Sequence, residues 1–265
     1  MSDEPDLAQE ALRLAAAQQP GISLERYQNH LRKIAQEVGE RHMELCNAGA
    51  YDNAETRLAA LKHILSDKHG YTGDREDYNN IQNASLIRTI DRGKGMPITL
   101  SILYIATGRA QGWDVDGINF PGHFVCRIEH DGQRVIFDPF ENCKILQAAD
   151  LRVLLKQVLG EQAELSIDYF KAATNRQILI RLQNNIKSRQ IEMEDYEGAL
   201  RTVEDMRRID PQEYRLLLDA GVLYARAHKP DDAIAALEEY IKLAPDARDR
   251  RDAELLLRQI RETVS

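Results

Sequence analysis

Cysteine is scarce in this chain of 265 residues, which has only Cys46, Cys126 and Cys143 and no CxxC pair. That excludes a disulfide framework, removes the commonest zinc signature, and points to a reducing, cytoplasmic setting. Long apolar runs are missing as well, since none approaches the roughly 20 residues that cross a bilayer. Met1-Ser2-Asp3-Glu4-Pro5-Asp6 is acidic and lacks the apolar core of a signal peptide. There is no excess of positive charge: 35 Lys and Arg stand against 43 Asp and Glu, a net charge of -8. Phosphate contacts need a basic face, so neither nucleic acid nor a membrane is an expected partner.

What is present is ordinary for a globular protein, with 43% hydrophobic and 29% charged residues. The length allows one or two domains with sizeable cores. Residues 1–90 read as helices. Leu7, Ala11, Leu12, Leu14 and Ala15 form a stripe that Pro20-Gly21 ends, and Tyr27, Leu31, Ile34 and Val38 keep helical spacing in the next segment. Asp52-Asn53-Ala54-Glu55 resembles a capping box, with Asp52 as N-cap, and its helix runs through Leu58, Leu61 and Ile64 to a stop near Gly70.

From Pro97 to Ala110 the pattern changes. Proline suits a first helical turn, and Ile98, Leu100, Ile102, Leu103, Ile105 and Ala106 leave almost no polar face, so this helix belongs at the centre of its domain. Residues 115–140 are the one convincing β region. Strands at His123–Ile128 and Arg134–Phe137 flank Asp131-Gly132, a two-residue hairpin turn. Counting outward from a His130–Gln133 pair sets Val125 opposite Asp138. His123 then lies diagonal to Asp138, with Cβ atoms about 7–8 Å apart and side chains in hydrogen-bonding reach.

The C-terminal third repeats itself. Tyr196-Glu197-Gly198-Ala199-Leu200 followed by Asp210-Pro211 recurs as Pro230-Asp231-Asp232-Ala233-Ile234 followed by Ala244-Pro245. The spacing matches the roughly 34-residue period of tetratricopeptide repeats. Two repeats and a capping helix from Asp252 to Val264 are expected, a scaffold that holds protein or peptide segments.

A cysteine acyl-transfer site needs a thiolate at a helix N-terminus, a histidine to take its proton and a carboxylate to orient the histidine. The hairpin offers the last two in His123 and Asp138, and the helix at Pro97 offers a platform for the first. Gly95-Met96-Pro97-Ile98-Thr99-Leu100-Ser101-Ile102-Leu103-Tyr104, Gly117-Ile118-Asn119-Phe120-Pro121-Gly122-His123-Phe124, Asp138-Pro139-Phe140 and the upstream Asn83-Ala84-Ser85-Leu86 resemble the SirB-type transglutaminase-like proteins of bacteria. The resemblance implies an α+β, mostly helical protein. It would have a cysteine-protease-like core with a small antiparallel sheet over 1–165, then tetratricopeptide-like repeats over 166–265. It also implies that His123 and Asp138 hold the histidine and aspartate positions of a triad. The nucleophile's register falls between Met96 and Thr99, where no cysteine stands, and Glu141-Asn142-Cys143 replaces the glycine-rich turn typical after Asp-Pro-Phe.

Thr99 and Cys143 are the candidate substitute nucleophiles. For Thr99 and Ser101, capping or packing is the plainer role. Cys126 sits three residues beyond His123, so strand alternation turns it to the opposite face as a core residue. Cys46 has no visible partner. A metal site from His123, Asp138, Glu141 and Cys143 fits no recognised spacing, and no cofactor is expected. The leading expectation is a non-catalytic regulatory or interaction protein on a degenerate transglutaminase-like core. The alternative is an amidohydrolase or acyl transferase acting on a protein or peptide.

Overall fold

The computed structural model describes residues 4–19 and 21–264, so Met1–Asp3, Ser265 and Pro20, where the sequence sets the end of the first helix, lie outside the described residues. The chain divides into two compact units, Met1–Ile178 and Leu179–Ser265. The division falls within a helix, later than the 165/166 boundary expected from the sequence. Residues 166–178 belong with the first unit for a local reason: Ala172–Ala173 pair with the sheet there, and the Phe170 carbonyl accepts from Arg127 Nη1 at 3.0 Å.

The first unit opens with α1 (Leu7–Ala17), α2 (Leu24–Asn47) and α3 (Ala54–Lys62). Tyr27, Ile34 and Val38 form the buried stripe of α2. Asn53, rather than Asp52, caps α3 by accepting the Thr56 N–H at 2.9 Å. Asp52 is drawn away by Arg57, whose guanidinium holds both its oxygens at 2.7 and 2.8 Å. After α3 the chain widens into a turn over His63–Lys68 with five-residue bonds such as His69 N–H to Ile64 O. It ends at Gly70, whose φ of 73° suits a residue without Cβ.

Strand β1 (Thr72–Gly73) pairs in parallel with β2 (Lys94–Gly95), and α4 (Leu86–Arg92) lies between them in sequence. Then comes α5 (Pro97–Arg109), with proline at its first turn and every residue from Pro97 to Ile105 buried. It packs against α1, α2 and α3 and also against β3 (Asp114–Ile118) and β4 (Val125–His130), which explains its lack of a polar face.

With β5 (Gln133–Asp138), β6 (Lys144–Ile145) and β7 (Ala172–Ala173), the antiparallel sheet runs β6-β5-β4-β3-β7. At the hairpin tip Asp131 and Gly132 both take positive φ, 46° and 78°, as a type I′ turn requires. His130 pairs with Gln133 and Cys126 with Phe137, the register read from the sequence, although the strand starts at Val125 and leaves His123 in the preceding turn. Helix α6 (Ala148–Leu159) covers the other side, where Leu151 and Leu155 bury against Ile118, Phe120 and Val125. Each such leucine is worth about 1.5–3 kcal/mol of burial.

The second unit is helical: the end of α7 (Asn175–Glu192), then α8 (Tyr196–Ile209), α9 (Arg215–Arg226), α10 (Pro230–Leu243) and α11 (Ala247–Val264). Ala199 and Ala233, equivalent in the two repeats, are both fully buried. A Cβ on Gly221 would come within 2.7 Å of the Leu237 side chain, so α9 and α10 approach there as only glycine allows. Among the described residues no helix is long and apolar enough to cross a membrane.

Candidate functional site

The site grows from the end of the hairpin. Asp138 closes β5 with its carboxyl buried, and the following Pro139-Phe140 turn brings the Phe140 N–H to Asp138 Oδ1 at 2.9 Å. The other oxygen, Oδ2, lies 2.6 Å from His123 Nε2. The His123 side chain is 22% exposed against 3% for Asp138, so the pair sits with its carboxylate inside and its imidazole at the surface. His123 is held from behind by its own N–H, which donates to Phe120 O at 3.0 Å across the Pro121-Gly122 turn.

Gly122 has φ +70°, and a Cβ there would fall 2.2 Å from Val158 Cγ2 of α6, so the turn has no room for a side chain. With Nε2 committed to Asp138, Nδ1 is the ring nitrogen without a protein partner among the described residues. A neutral imidazole donating through Nε2 carries its free lone pair on Nδ1. An imidazole held this way could act as a base oriented by its carboxylate, as in a triad.

The structure does not bring the candidate nucleophiles to that nitrogen. Thr99 lies in the first turn of α5, where its Oγ1 accepts from the Met96 N–H at 3.1 Å and faces the carbonyls of Asn83 and Met96 at 2.8 and 3.0 Å. Its hydroxyl proton is spent on the backbone. Cys143 is buried beside the Tyr104 hydroxyl; burial pushes its thiol up to about 12, an effect that Tyr104 only partly offsets. Cys126 is fully buried beside Ser101, and burial pushes its thiol up too.

Such thiols stay protonated at neutral pH and are poor nucleophiles. Cys46, on α2, has its sulfur 3.6 Å from His42 Nε2. Glu141 pairs with Arg75. Among the described residues no group of three His, Cys, Asp or Glu side chains could hold a metal ion. The unusual Asn142-Cys143 turn does the work of glycines, since both residues take positive φ, 53° and 57°.

Sequence reasoning missed what fixes the start of α5. Asp74 is buried and bonds Arg92 Nη2 at 2.7 Å, while Arg92 Nη1 reaches Asn83 Oδ1 at 2.8 Å. Burial pushes the Asp74 carboxyl up, but Arg92 and the Asp77 N–H outweigh it and hold it below the usual range. Asn83 donates to Asp77 O and, through its own carbonyl, accepts from the Met96 N–H at 3.2 Å. The signal was Asn83 in the Asn-Ala-Ser-Leu run; Asp74 and Arg92 carried none.

In the second unit a cavity of about 320 Å³ lies along α7 and α9, lined by Ile191, Tyr196, Leu218 and Val222 between Lys187 and Arg226. Lys187 Nζ is 2.5 Å from Asp219 Oδ2, and the Arg226 guanidinium stands 5.9 Å from the Tyr196 ring centre.

Residues 25–184 match the family model described as the transglutaminase-like superfamily, and residues 186–260 match that of a tetratricopeptide repeat. The chain is 28% identical to a UPF0162 protein of Vibrio cholerae, over 97% of this chain and 92% of that one. It is 29% identical to a UPF0162 protein of Xylella fastidiosa strain Temecula1, over 71% and 68% respectively. Protein SirB1 of Salmonella typhimurium matches at 23% over 72% of this chain and 71% of its own.

Proposed function

This chain belongs to the transglutaminase-like superfamily, and on that premise we propose that it is a non-catalytic regulatory protein that engages a protein or peptide segment through its C-terminal repeats. Its core keeps the histidine and aspartate of a triad without a nucleophile. The observation that carries this reading is the His123 ring, bound to Asp138 through Nε2 while no thiol or hydroxyl among the described residues bonds Nδ1. Acyl transfer needs a nucleophile within about 3–4 Å of its base. The cavity along α7 and α9 has the character of a segment-binding groove, apolar on its floor and charged at its ends.

The test uses the purified full chain with casein and a fluorescent primary amine. No amine incorporation and no ammonia release are expected, with or without His123→Ala. Incorporation that His123→Ala abolishes in a folded protein would overturn the proposal. A photo-crosslinker placed in the groove should capture a partner that Val222→Asp loses and His123→Ala keeps; the opposite pattern would move the binding site to the core.

The 2.6 Å His123–Asp138 bond favours a second reading, an amidohydrolase or acyl transferase with Cys143 or Thr99 as nucleophile. It requires the 139–143 turn to reopen or Thr99 to leave its backbone partners. A substrate-like electrophile that labels neither residue rules it out.

A further inference from the structure

Helix α2 meets the turn that leads into β1 through a cluster of rings outside the site. Tyr71 is 2% exposed, and its hydroxyl lies 2.6 Å from His30 Nε2. His30 and His69 meet edge-on with ring centres 5.6 Å apart, and His69 Nε2 is 2.5 Å from Glu37 Oε2. Two residues beyond Tyr71, Gly73 lies so close to Phe140 that a Cβ there would come within 2.6 Å of the ring. Phe140 in turn gives its N–H to Asp138. The cluster and the His123–Asp138 pair are therefore joined by the short run Tyr71–Gly73 and one aromatic contact.

We propose that the His30–Tyr71 hydrogen bond is an acid-sensitive latch: a proton taken up by His30 frees the segment from His69 to Gly73, and with it the backing of Phe140 and Asp138. The reasoning starts from the buried hydroxyl. Its one proton has a single side-chain nitrogen or oxygen in reach among the described residues, Nε2 of His30, so the neutral ring that satisfies it is the tautomer with its proton on Nδ1 and Nε2 free to accept. Protonation turns that nitrogen into a donor and leaves the tyrosine proton without a partner in a buried place, which is costly.

The charges around the ring oppose the proton as well. From α2 itself Arg26 and Lys33 are repulsive and Glu37 attractive, but Glu37 is already shared among His69, Lys68 and Lys33. From the turn His69 faces the ring, and from α4 Asp91 lies near enough to act on Tyr71 but not as a partner of His30. Burial first, then His69 and Lys33, hold His30 below the ordinary histidine value. A lowered histidine adds stability that is complete above its unfolded value of about 6.5 and is lost as pH falls below it.

The experiment is amide hydrogen exchange on the full chain at about pH 7.5 and about pH 5.5, corrected for intrinsic exchange, in the window where histidine titrates. The expected result is exchange about fivefold faster or more at residues 69–76 and 138–142 on acidification, the loss of roughly one hydrogen bond. His30→Gln, which still accepts from the tyrosine but does not titrate, should remove the rise. Tyr71→Phe should show the fast exchange already at the higher pH, and it serves as the test should His30→Gln not fold. Unchanged wild-type exchange, an equal rise in His30→Gln, or a rise that stops at residue 76 would each overturn the latch.

Discussion

Replacing Asp138 separates what its charge does from what its shape does. In Asp138→Ala the Phe140 N–H loses its acceptor inside the fold, and the His123 Nε2–H loses one at the rim. A buried donor left unpaired costs about 1–3 kcal/mol and a partly solvated one about 1, so Asp138→Ala should lose roughly 2–4 kcal/mol. In Asp138→Asn the amide oxygen can still take the Phe140 N–H. Its NH₂ group, however, now points at Nε2, and two donors cannot share a bond. The imidazole must then move its proton from Nε2 to Nδ1, a rearrangement worth about 1 kcal/mol. Urea unfolding at constant m-value measures the two losses, and two-bond nitrogen–proton NMR correlations read the tautomer directly. Equal losses for Asn and Ala, or an unchanged tautomer in Asp138→Asn, would refute the reasoning, because the carboxylate would then not be setting the proton's place on His123.

Three further outcomes follow from the same geometry. Alkylation of the native chain near neutral pH should modify Cys46 alone, with Cys126 and Cys143 reacting only after unfolding, as mass mapping would show. Gly122→Ala should lose about 1–2 kcal/mol through its positive φ, plus the clash with Val158, and Val158→Ala in the same chain should relieve the clash but not the backbone part; thermal melts of the pair decide it. Asp74 contributes stability that is present above its unfolded value and disappears as pH falls through about 4 and below, so Asp74→Asn should flatten the acid limb of the stability curve.

Much of this protein is local chemistry and is legible in the sequence. The hairpin register follows from Asp131-Gly132, because a two-residue turn fixes the pairing of everything beyond it, and so Asp138 could be matched to His123 by counting. The repeats follow from periodicity, and the helix at Pro97 from a run without a polar face. The cap of α3 differs by one residue from the sequence expectation because Asp52 and Asn53 are both good caps, and only the position of Arg57 decides which is free to serve.

The sequence by itself also determined that no cysteine stands at the start of α5. Tertiary structure alone decided what the remaining hydroxyl and thiols do. Thr99 is taken by the carbonyls of Asn83 and Met96, and Cys143 is folded inward against Tyr104 by a turn in which two ordinary residues adopt left-handed backbone. Burial, and the pKa values and hydrogen-bond partners that come with it, arise only when distant segments meet. The Asp74–Arg92 pair behind Asn83 and the His30–Tyr71–His69 cluster leave no trace in spacing for that reason.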